Sequence, residues 1–543
     1  MLLAARSAVA LYRLLDALPA LAGDDRVTRL FTLVPGSDFG VDVLAAVEDA
    51  GVRTVPWHEA CTRSYDLILT ASPKGDLDLL HGRRVLLPHG AGYNKAIPYE
   101  GSGAASGLDP AYLLRDGGRA APVALHAVSH PDQLARLAAS APQAARRAKV
   151  IGDLTLERIL ASGSLRDRYR AALGTGPRRL VALVSTWGPE SLLRRDPGLP
   201  ARLAGLLPYD EYQLALIVHP NEHSLLRSYE LAERLAPALD AGLVLAHPHQ
   251  EWASVLVAAD ALVTDHGSAA LYYCAAADRP VVNAYRGGVE LIPGSPMDVL
   301  LSRVPRLGRA GDLADALGAY RPGTGRDAAR AAFAHRGSAL GRLRTELYAL
   351  LGLTPPAVGN PLRLLPPPRP ADRTPAAFDV AAEVTGSRVR VIRRPAGLGA
   401  PGDHLAVEHG AASERLARSA GVLYRRPLPA PAAEAGWSWT ADGWARHALA
   451  AYPGCRTAVA VLPSGGCLVR TRDTGFVARA APAAEDGATV RPDPAAVASA
   501  VHAWLRTRGR QQADPVPLTC VVGGRAFRVE LRPATGDDEA QPV

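Results

Sequence analysis

Residues 259–282 read ADALVTDHGSAALYYCAAADRPVV, and this order of residues is typical of one strand–helix–strand unit. A short apolar run at 261–264 is followed by small and polar residues up to Ser268, then by an apolar segment of helical length and a second short apolar run. This is the repeating unit of a parallel sheet covered by helices. The stretch therefore predicts an α/β fold, with a ligand site where the first strand of the unit ends.

The same alternation extends over about the first 350 residues. Besides a short strand at the N-terminus, the candidate strands are residues 29–33, 66–70, 84–87, 122–128, 180–185, 213–218, 242–245, 261–264 and 281–284. These are too many strands for one ordinary open sheet. We therefore predict two Rossmann-like domains, an N-terminal one over 1–155 and a C-terminal one over 156–353, with a long helix at 327–351 closing the second.

Prolines dominate residues 354–375, TPPAVGNPLRLLPPPRPADRTP, and predict a stiff, extended linker. Beyond it, period-two alternation and one helix at 494–508 predict a small accessory α+β domain over 376–543, whose role the sequence does not identify. The alternating runs are residues 388–392, 458–462, 467–472 and 520–531. Ending the chain near Leu353 should then leave a folded core.

Two further expectations concern this C-terminal region. Its paired arginines are interpreted as a solvated basic face or as a contact for an anionic acceptor or lipid surface; they are Arg393, Arg394, Arg425 and Arg426. The acidic end of the chain, GDDEAQPV, is expected to be frayed.

Charge and cysteine content exclude several classes of protein. The 543 residues carry 61 basic and 53 acidic side chains, a net charge of +8, which is too small an excess to indicate a nucleic-acid-binding domain. The five cysteines form no C-x-x-C pair, which favours a reducing cytoplasm. Arg13 and Asp16 interrupt the apolar N-terminal stretch, so it does not match a signal peptide. No run of 18 apolar residues occurs, so no membrane span is predicted.

Several catalytic motifs are absent or lack their structural context. No lysine follows a glycine, which excludes a Walker A loop, and no G-x-S-x-G elbow is present. Residues 397–402 match G-x-G-x-x-G, but Pro401 and the non-helical sequence after it indicate a turn. Residues 219–223 match the zinc pattern H-x-x-E-H, but Pro220 breaks the helical register that the two histidines would need. No metal site is predicted.

Two segments place histidines directly after predicted strands. In LLPHGAGYNK, His89 follows the strand at 84–87 and the segment ends on Lys95, one of three lysines in the chain. The imidazole can titrate near neutral pH and the ammonium can contact a phosphate. In IVHPNEH, the strand at 213–218 delivers His219, which can donate to a phosphate oxygen. The alternative for each histidine is a purely structural role, as a hydrogen-bonded or capping side chain.

The third segment is the TDHGS motif, residues 264–268. Gly267 and Ser268 would offer backbone N–H groups and a hydroxyl to an anion at a helix N-terminus, with Asp265 and His266 beside them. The alternative is an ordinary helix cap. Further residues are expected around a donor pocket; they are Thr186, Trp187, Asn221, His249, Glu251 and Trp252.

Together these segments resemble the CDP-glycerol glycerophosphotransferase family of teichoic-acid-type polymerases and primases. The resemblance rests on HPN after a strand, on ADxxxTDxxS before a helix, and on HG…K in the first half; it covers about residues 60–350. LLPHGAGYNK, GDLTLERIL, STWGPESLL and TDHGSAALY are similar to a divergent branch from high-GC bacteria. The sequence departs from the family at His266-Gly267, where Tyr-Ser is common.

The resemblance implies a GT-B architecture, in which two Rossmann-like domains face a cleft. It also implies attack of an acceptor hydroxyl on the β-phosphate of a CDP-activated alcohol, with release of CMP. His89 would then be the base, His219 a ligand of the pyrophosphate, and Gly267 with Ser268 the helix start that binds phosphate. Lys95, Asp265 and His266 are expected to contribute to phosphate binding.

We therefore expect a cytoplasmic transferase, working at the inner face of the membrane, that moves glycerol phosphate or a related polyol phosphate in cell-envelope polymer synthesis. Its partners would be a nucleotide-diphosphate donor such as CDP-glycerol and a polymer or lipid-linked acceptor, without a cofactor, a metal or nucleic acid. Two alternatives remain open. One is a GT-B glycosyltransferase or sugar-nucleotide epimerase, and the other is a non-catalytic carbohydrate-binding protein on the same scaffold.

Overall fold

Two parallel sheets come first along the chain, and a closed barrel follows them. The computed structural model describes residues 1–36, 40–98, 104–105, 107–115, 119–120, 123–247, 251–357, 361–427, 438–485, 487–508 and 516–543. Within these ranges, no helix combines the length and the apolar character needed to cross a membrane. All five cysteines are free thiols, and all but Cys61 are buried.

The first sheet has six parallel strands in the order β2-β1-β3-β4-β7-β8. The strands of this part of the chain are β1 (Leu2–Ala5), β2 (Leu30–Leu33), β3 (Ser64–Thr70), β4 (His81–Leu86), β5 (Leu114–Arg115), β6 (Arg119–Ala120), β7 (Val123–Val128) and β8 (Ala148–Val150), of which β5 and β6 form a separate hairpin. The helices are α1 (Ala8–Ala17), α2 (Gly40–Ala50), α3 (Trp57–Ala60), α4 (Pro110–Leu113), α5 (Pro131–Ser140) and α6 (Pro142–Ala145).

The second sheet has five parallel strands in the order β11-β10-β9-β12-β13. They are β9 (Arg179–Ser185), β10 (Tyr212–Val218), β11 (Val244–Leu245), β12 (Ala261–Thr264) and β13 (Val281–Asn283). The accompanying helices are α7 (Leu154–Ala161), α8 (Arg166–Ala172), α9 (Leu192–Arg195), α10 (Leu199–Leu206), α11 (Pro220–Asp240), α12 (Glu251–Ala258), α13 (Ala269–Ala276), α14 (Pro296–Arg303), α15 (Leu313–Gly318), α16 (Thr324–Ala332) and α17 (Ala339–Leu351). The predicted strands agree with these bounds to within about three residues; only β8 and the hairpin were not predicted.

Residue alternation along the strands explains why both faces of the second sheet are covered. In β9, Leu180, Ala182 and Val184 enter one apolar core, while Val181 and Leu183 enter the core on the opposite face. Successive side chains of a strand point to opposite faces, so a strand that is apolar throughout must be buried on both. The continuous apolar run in the sequence therefore corresponds to a sheet between two helical layers.

The helix predicted over 327–351 is wrong in two respects. The chain forms two helices there, because His335 and Gly337 adopt left-handed backbone conformations (φ 53° and 79°) that interrupt a right-handed helix. The second of them, α17, does not close the second sheet. Its Leu343 and Leu347 pack into the core of the first sheet, so the chain returns to its N-terminal half before it enters the proline-rich segment.

The C-terminal barrel is closed by nine strands in the order β14-β15-β23-β24-β20-β19-β18-β17-β16. The strands of this region are β14 (Ala377–Thr385), β15 (Arg388–Pro395), β16 (His404–Glu408), β17 (Val422–Arg425), β18 (Thr457–Val461), β19 (Cys467–Arg470), β20 (Gly475–Ala480), β21 (Ala483–Glu485), β22 (Ala488–Val490), β23 (Val516–Val522) and β24 (Arg525–Pro533). The helices are α18 (Glu414–Ser419), α19 (Ala441–Ala451), α20 (Pro494–Arg508) and α21 (Gly536–Glu539).

Helix α20, predicted with the same bounds, fills the barrel. Residues 495–502 are buried on every face of the helix and pack against inward-facing strand residues such as Val391, Val469 and Phe527. The alternating run over 520–531 does not form one continuous strand, because Gly523 and Gly524, both at positive φ, turn the chain into the antiparallel pair β23 and β24.

The proline-rich segment is packed against the protein, and the end of the chain is more ordered than predicted. Leu365 is 5% exposed and belongs to the core of the second sheet. At the C-terminus, Asp538 forms a bidentate ion pair with Arg532, and the buried Val543 donates its N–H to Trp439. The expectation of a frayed acidic tail is therefore wrong.

The paired arginines of the barrel do not form a solvated basic face. Arg393 is 1% exposed and pairs with Asp210 beside the second sheet (2.5 Å) and with Asp493 at the start of α20 (2.9 Å). Arg426 also pairs with Asp493 (2.9 Å), and Arg394 donates to the Leu206 carbonyl. Arg393 and Arg394 thus connect the barrel to the region of the second sheet, and Arg393 and Arg426 both bind Asp493 at the start of α20.

We expect Arg393→Ala to lower the free energy of unfolding by about 3 kcal/mol, because two acidic side chains would remain in a largely buried interface without their partner. Arg390→Ala is the matched control, because Arg390 is an exposed residue of the same strand and its loss should change the stability by less than about 0.5 kcal/mol. Denaturant unfolding of the full chain measures both. Equal losses for the two variants would contradict the importance of this contact.

Candidate functional site

A cavity of about 760 Å³ is lined by residues from both parallel sheets. Its walls include residues that follow the carboxyl ends of β1, β3 and β4 in the first sheet and of β9, β10, β11 and β12 in the second. Among the described lining residues, Asp16 is the acidic one, and six are basic: Arg6, Arg13, Lys74, Lys95, Arg158 and Arg194. Four of these basic side chains are already ion-paired with acidic residues: Arg13 with Asp153, Lys95 with Glu290, Arg158 with Asp16, and Arg194 with Glu222. The lining is basic on balance, but most of its positive charge is neutralised within the protein.

His89 lies on the first-sheet side of the cavity. Its Nδ1 is 2.9 Å from the carbonyl oxygen of Ala71. A carbonyl oxygen can only accept a hydrogen bond, so Nδ1 carries the proton and Nε2 carries the lone pair. Burial, together with the neighbouring Arg13 and Lys74, lowers the pKa of His89 to about 4, although the hydrogen bond to the Ala71 carbonyl acts in the opposite direction. The imidazole is therefore neutral at neutral pH, with Nε2 as its basic nitrogen.

His219 lies on the second-sheet side of the same cavity and is the N-cap residue of α11. Its Nδ1 accepts a hydrogen bond from the backbone N–H of Asn221 at 3.1 Å. In the neutral imidazole the proton is then on Nε2, so His219 is a hydrogen-bond donor at this nitrogen. Pro220 begins the helix immediately after it, so His219 stands outside the helical register of His223, as the proline predicted.

Asp265 lies behind the cavity wall and is fully buried. Its Oδ2 accepts from the N–H groups of Thr186 and Leu192, both at 2.8 Å, and its Oδ1 accepts from Gly267 at 2.9 Å. The carboxylate thus holds the loop after β9 against the loop after β12. We expected Asp265 and the Gly267 N–H group to contribute to phosphate binding. In the structure the two groups are hydrogen-bonded to each other, so either would have to give up this bond to bind phosphate.

Ser268 lines the cavity and is the N-cap residue of α13, but its side chain does not cap the helix. Its hydroxyl therefore remains available to a ligand beside the first amides of the helix. The glycine loop of the first sheet lies close to it, since a Cβ added at Gly90 would lie 3.4 Å from Ser268 Oγ. The segment after His89 thus lies next to the start of α13.

Lys95 reaches across from the first-sheet side to the second. Its Nζ forms an ion pair with Glu290 Oε2 (2.8 Å), donates to the carbonyl of Trp187, and lies 4.4 Å from the centre of the Trp187 ring. Burial lowers the pKa of Lys95, whereas Glu290 raises it. Its backbone also forms a β-bridge with Leu291. Lys95 lines the cavity, but its ammonium group is already bound to Glu290 and to the carbonyl of Trp187. These contacts join the first-sheet side of the cavity to the second-sheet side.

His266 is buried next to this ion pair. Its Nε2 is 3.0 Å from Glu290 Oε2, and, despite the opposing effect of burial, His266 and Lys95 hold the pKa of Glu290 below its ordinary value. Glu190 lies close by, and the ligating atoms of Glu190, His266 and Glu290 lie within 4.8 Å of one another. These side chains could hold a metal ion, but the Lys95 ammonium already supplies positive charge there.

The remaining predicted residues are divided between the cavity wall and its support. Thr186, Trp187, Asn221 and Trp252 line the cavity. Glu251 is buried behind it, where Oε2 accepts the N–H of His247 at 3.1 Å. His249 lies outside the described residues.

The sequence reasoning missed a polar group on the first-sheet side of the cavity. Arg13 lines it, 5.3 Å from the centre of the Tyr272 ring, and donates to the carbonyl of His89 at 3.3 Å. Tyr272 in turn donates to Asp153 at 2.8 Å. The sequence does contain a signal for this group, because Arg13 and Asp16 are charged residues within the otherwise apolar first helix. Both of them line the cavity.

No protein-family model matches this sequence, and no curated protein matches it either. Among solved structures, the chain is similar to the Wall Teichoic Acid Polymerase TagF, with 14% identity, a TM-score of 0.44 and coverage of 64% of this chain and 88% of that one. It is similar to Anabaena HepE in complex with UDP and glucose (15%, 0.37, 65% and 99%) and to S. aureus MnaA with UDP (10%, 0.41, 66% and 98%). At such low identity, a function must follow from the chemistry of the cavity.

We expect Asp265→Ala to lower the free energy of unfolding by on the order of 3 kcal/mol, because three backbone N–H groups would lose a buried acceptor. Ser268→Ala, three residues away, should change it by less than about 0.5 kcal/mol, because the hydroxyl does not cap its helix. Thermal and denaturant unfolding measure the difference. If Asp265→Ala were as stable as Ser268→Ala, the loops would have to be held by other contacts.

Proposed function

We propose that this protein is a GT-B transferase that moves glycerol phosphate or a related polyol phosphate from a CDP-activated donor to an acceptor hydroxyl. The observation that carries the proposal is the complementary protonation of the two cavity histidines. His89 has its lone pair on Nε2, whereas His219 has its proton there. One is suited to accept a proton, and the other to donate a hydrogen bond to phosphate oxygen.

In the proposed reaction, His89 Nε2 takes the proton of the acceptor hydroxyl as its oxygen attacks the β-phosphorus of the donor. A new oxygen–phosphorus bond forms, the bond from the β-phosphorus to the bridging oxygen breaks, and CMP leaves with the electron pair. A neutral imidazole is required for the first step. The low pKa of His89, about 4, keeps it in that form at neutral pH.

Negative charge develops on the phosphate oxygens during this transfer. The Nε2–H of His219 and the N-terminus of α13 at Ser268 would stabilise that charge. Both line the same cavity, which also carries the six basic side chains named above. The acceptor would be a polymer or a lipid-linked alcohol used in cell-envelope synthesis, and we propose that the reaction takes place in the cytoplasm, at the inner face of the membrane.

A ligand screen tests this proposal directly. The full chain is incubated with CDP-glycerol, UDP-sugars and GDP-sugars, and the melting temperature is recorded with each. A ligand present at 100 times its Kd stabilises the folded protein by about 2.7 kcal/mol, so CDP-glycerol should raise the melting temperature and the sugar nucleotides should not. A response to UDP-sugars alone would favour a glycosyltransferase or epimerase. No response to any nucleotide would favour a non-catalytic binding protein.

We expect His219→Asn to reduce donor-dependent turnover by about 100-fold or more, because it removes the Nε2–H group. Asparagine is itself a good N-cap residue, so the helix start should persist. The matched control is His223→Asn, since His223 lies one turn into the same helix and does not line the cavity. Steady-state kinetics with CDP-glycerol compares the two. Equal turnover in both variants would leave His219 with a structural role alone.

A further inference from the structure

The proline-rich segment lies against the protein with a regular spacing. Leu362, Leu365, Pro368 and Ala371 are buried or half-buried, whereas the residues between them are mostly exposed. One inward position in every three is the pattern of a polyproline II helix, which has three residues per turn and no internal hydrogen bonds. We call residues 361–371 the strap. Its prolines favour this extended form, and it needs partners in the protein to hold its remaining polar backbone groups.

Hydrogen bonds with α7, α8 and the turn between them anchor the middle of the strap. Arg158 Nε donates to the carbonyl of Arg363 at 2.7 Å, and the Tyr169 hydroxyl donates to the carbonyl of Leu365 at 2.7 Å. The N–H of Leu365 donates to Ser162 Oγ at 2.9 Å. Both backbone groups of Leu365 are therefore paired, so the position of its side chain is fixed.

A second anchor connects the strap to the loop that follows β11. Arg369 forms an ion pair with Glu251 Oε1 at 3.2 Å. The other oxygen of this carboxylate accepts the N–H of His247 at 3.1 Å, and His247 lines the cavity. The same acidic side chain thus positions both the strap and part of the cavity wall.

Leu365 lines the cavity itself and belongs to the same apolar cluster as the lining residues Ala246, Trp252 and Ala253, which form an apolar part of the wall. The charged lining residue that contacts the strap, Arg158, is ion-paired with Asp16. We propose that Leu365 is a specificity-determining residue, whose side chain packs against the nucleoside of a bound nucleoside diphosphate. The inference rests on the proposed function, because it assigns the uncharged part of the proposed donor to this wall.

The physical basis is the amphiphilic form of a nucleoside diphosphate. Its phosphates need donors and positive charge, whereas a base and ribose gain affinity by leaving water for an apolar surface. A backbone N–H group without a partner would be costly at such a wall once a ligand has displaced water. The strap avoids this, because Leu365 has its N–H paired and residues 366–368 are prolines, which have none.

Binding measurements on the full chain test the proposal. We expect Leu365→Ala to weaken CDP binding by about five- to tenfold, as expected when a few apolar atoms lose their contact with a ligand. The affinity for inorganic pyrophosphate should stay within about twofold of the wild-type value, because pyrophosphate has no nucleoside. Leu364→Ala is the matched control, since Leu364 is 46% exposed and does not line the cavity. Isothermal titration calorimetry gives all of these affinities.

A second variant separates the position of Leu365 from its size. Tyr169→Phe keeps the leucine but removes the hydroxyl that holds its carbonyl, so it should weaken CDP binding by a smaller factor, about two- to threefold, and spare pyrophosphate. Unchanged CDP affinity in Leu365→Ala, or equal losses for CDP and pyrophosphate, would overturn the proposal while leaving the proposed function intact. If the wild-type protein bound no nucleoside diphosphate, the proposed function itself would fail.

Discussion

The cavity depends on one buried carboxylate. Asp265 has no contact with solvent, and its two oxygens accept three backbone N–H groups from the loops after β9 and β12. Burial raises the pKa of Asp265, and the hydrogen bonds from Thr186, Leu192 and Gly267 offset this effect only in part. Thr186 and Ser268, on either side of the cavity wall, can keep their relative positions because Asp265 holds both loops.

Positive charge beside the cavity holds parts of the structure together. Lys95 extends from the first-sheet side to Glu290 and Trp187, and Glu290 also binds His266. This network keeps the cavity walls together through ion pairs in a buried environment, where removing one partner costs much more than it would at the surface. The same holds for other basic residues of the cavity lining, since Arg158 pairs with Asp16 and Arg194 pairs with Glu222.

The sequence predicted the strands of the two sheets well, because an apolar run that is buried on both faces is a local signal. His89, His219 and Ser268 were also predicted from position, since each follows a strand and such ends share one edge of a parallel sheet. The partners of Lys95 and Asp265 could not be predicted, because their contacts join residues about 80 to 200 positions apart. The packing of the strap could not be predicted either. A proline-rich composition predicts an extended backbone, but it does not predict which residues that backbone contacts.

The chemistry of the two histidines follows from the backbone that surrounds them. Both lie at the ends of parallel strands, and nothing in their own sequence distinguishes a hydrogen-bond acceptor from a donor at Nε2. Nδ1 of His89 is hydrogen-bonded to the carbonyl oxygen of Ala71, whereas Nδ1 of His219 accepts a hydrogen bond from the N–H group of Asn221. Because a ring has one proton to place when it is neutral, each contact decides what the other nitrogen can do. The fold thus sets two opposite roles with one type of side chain.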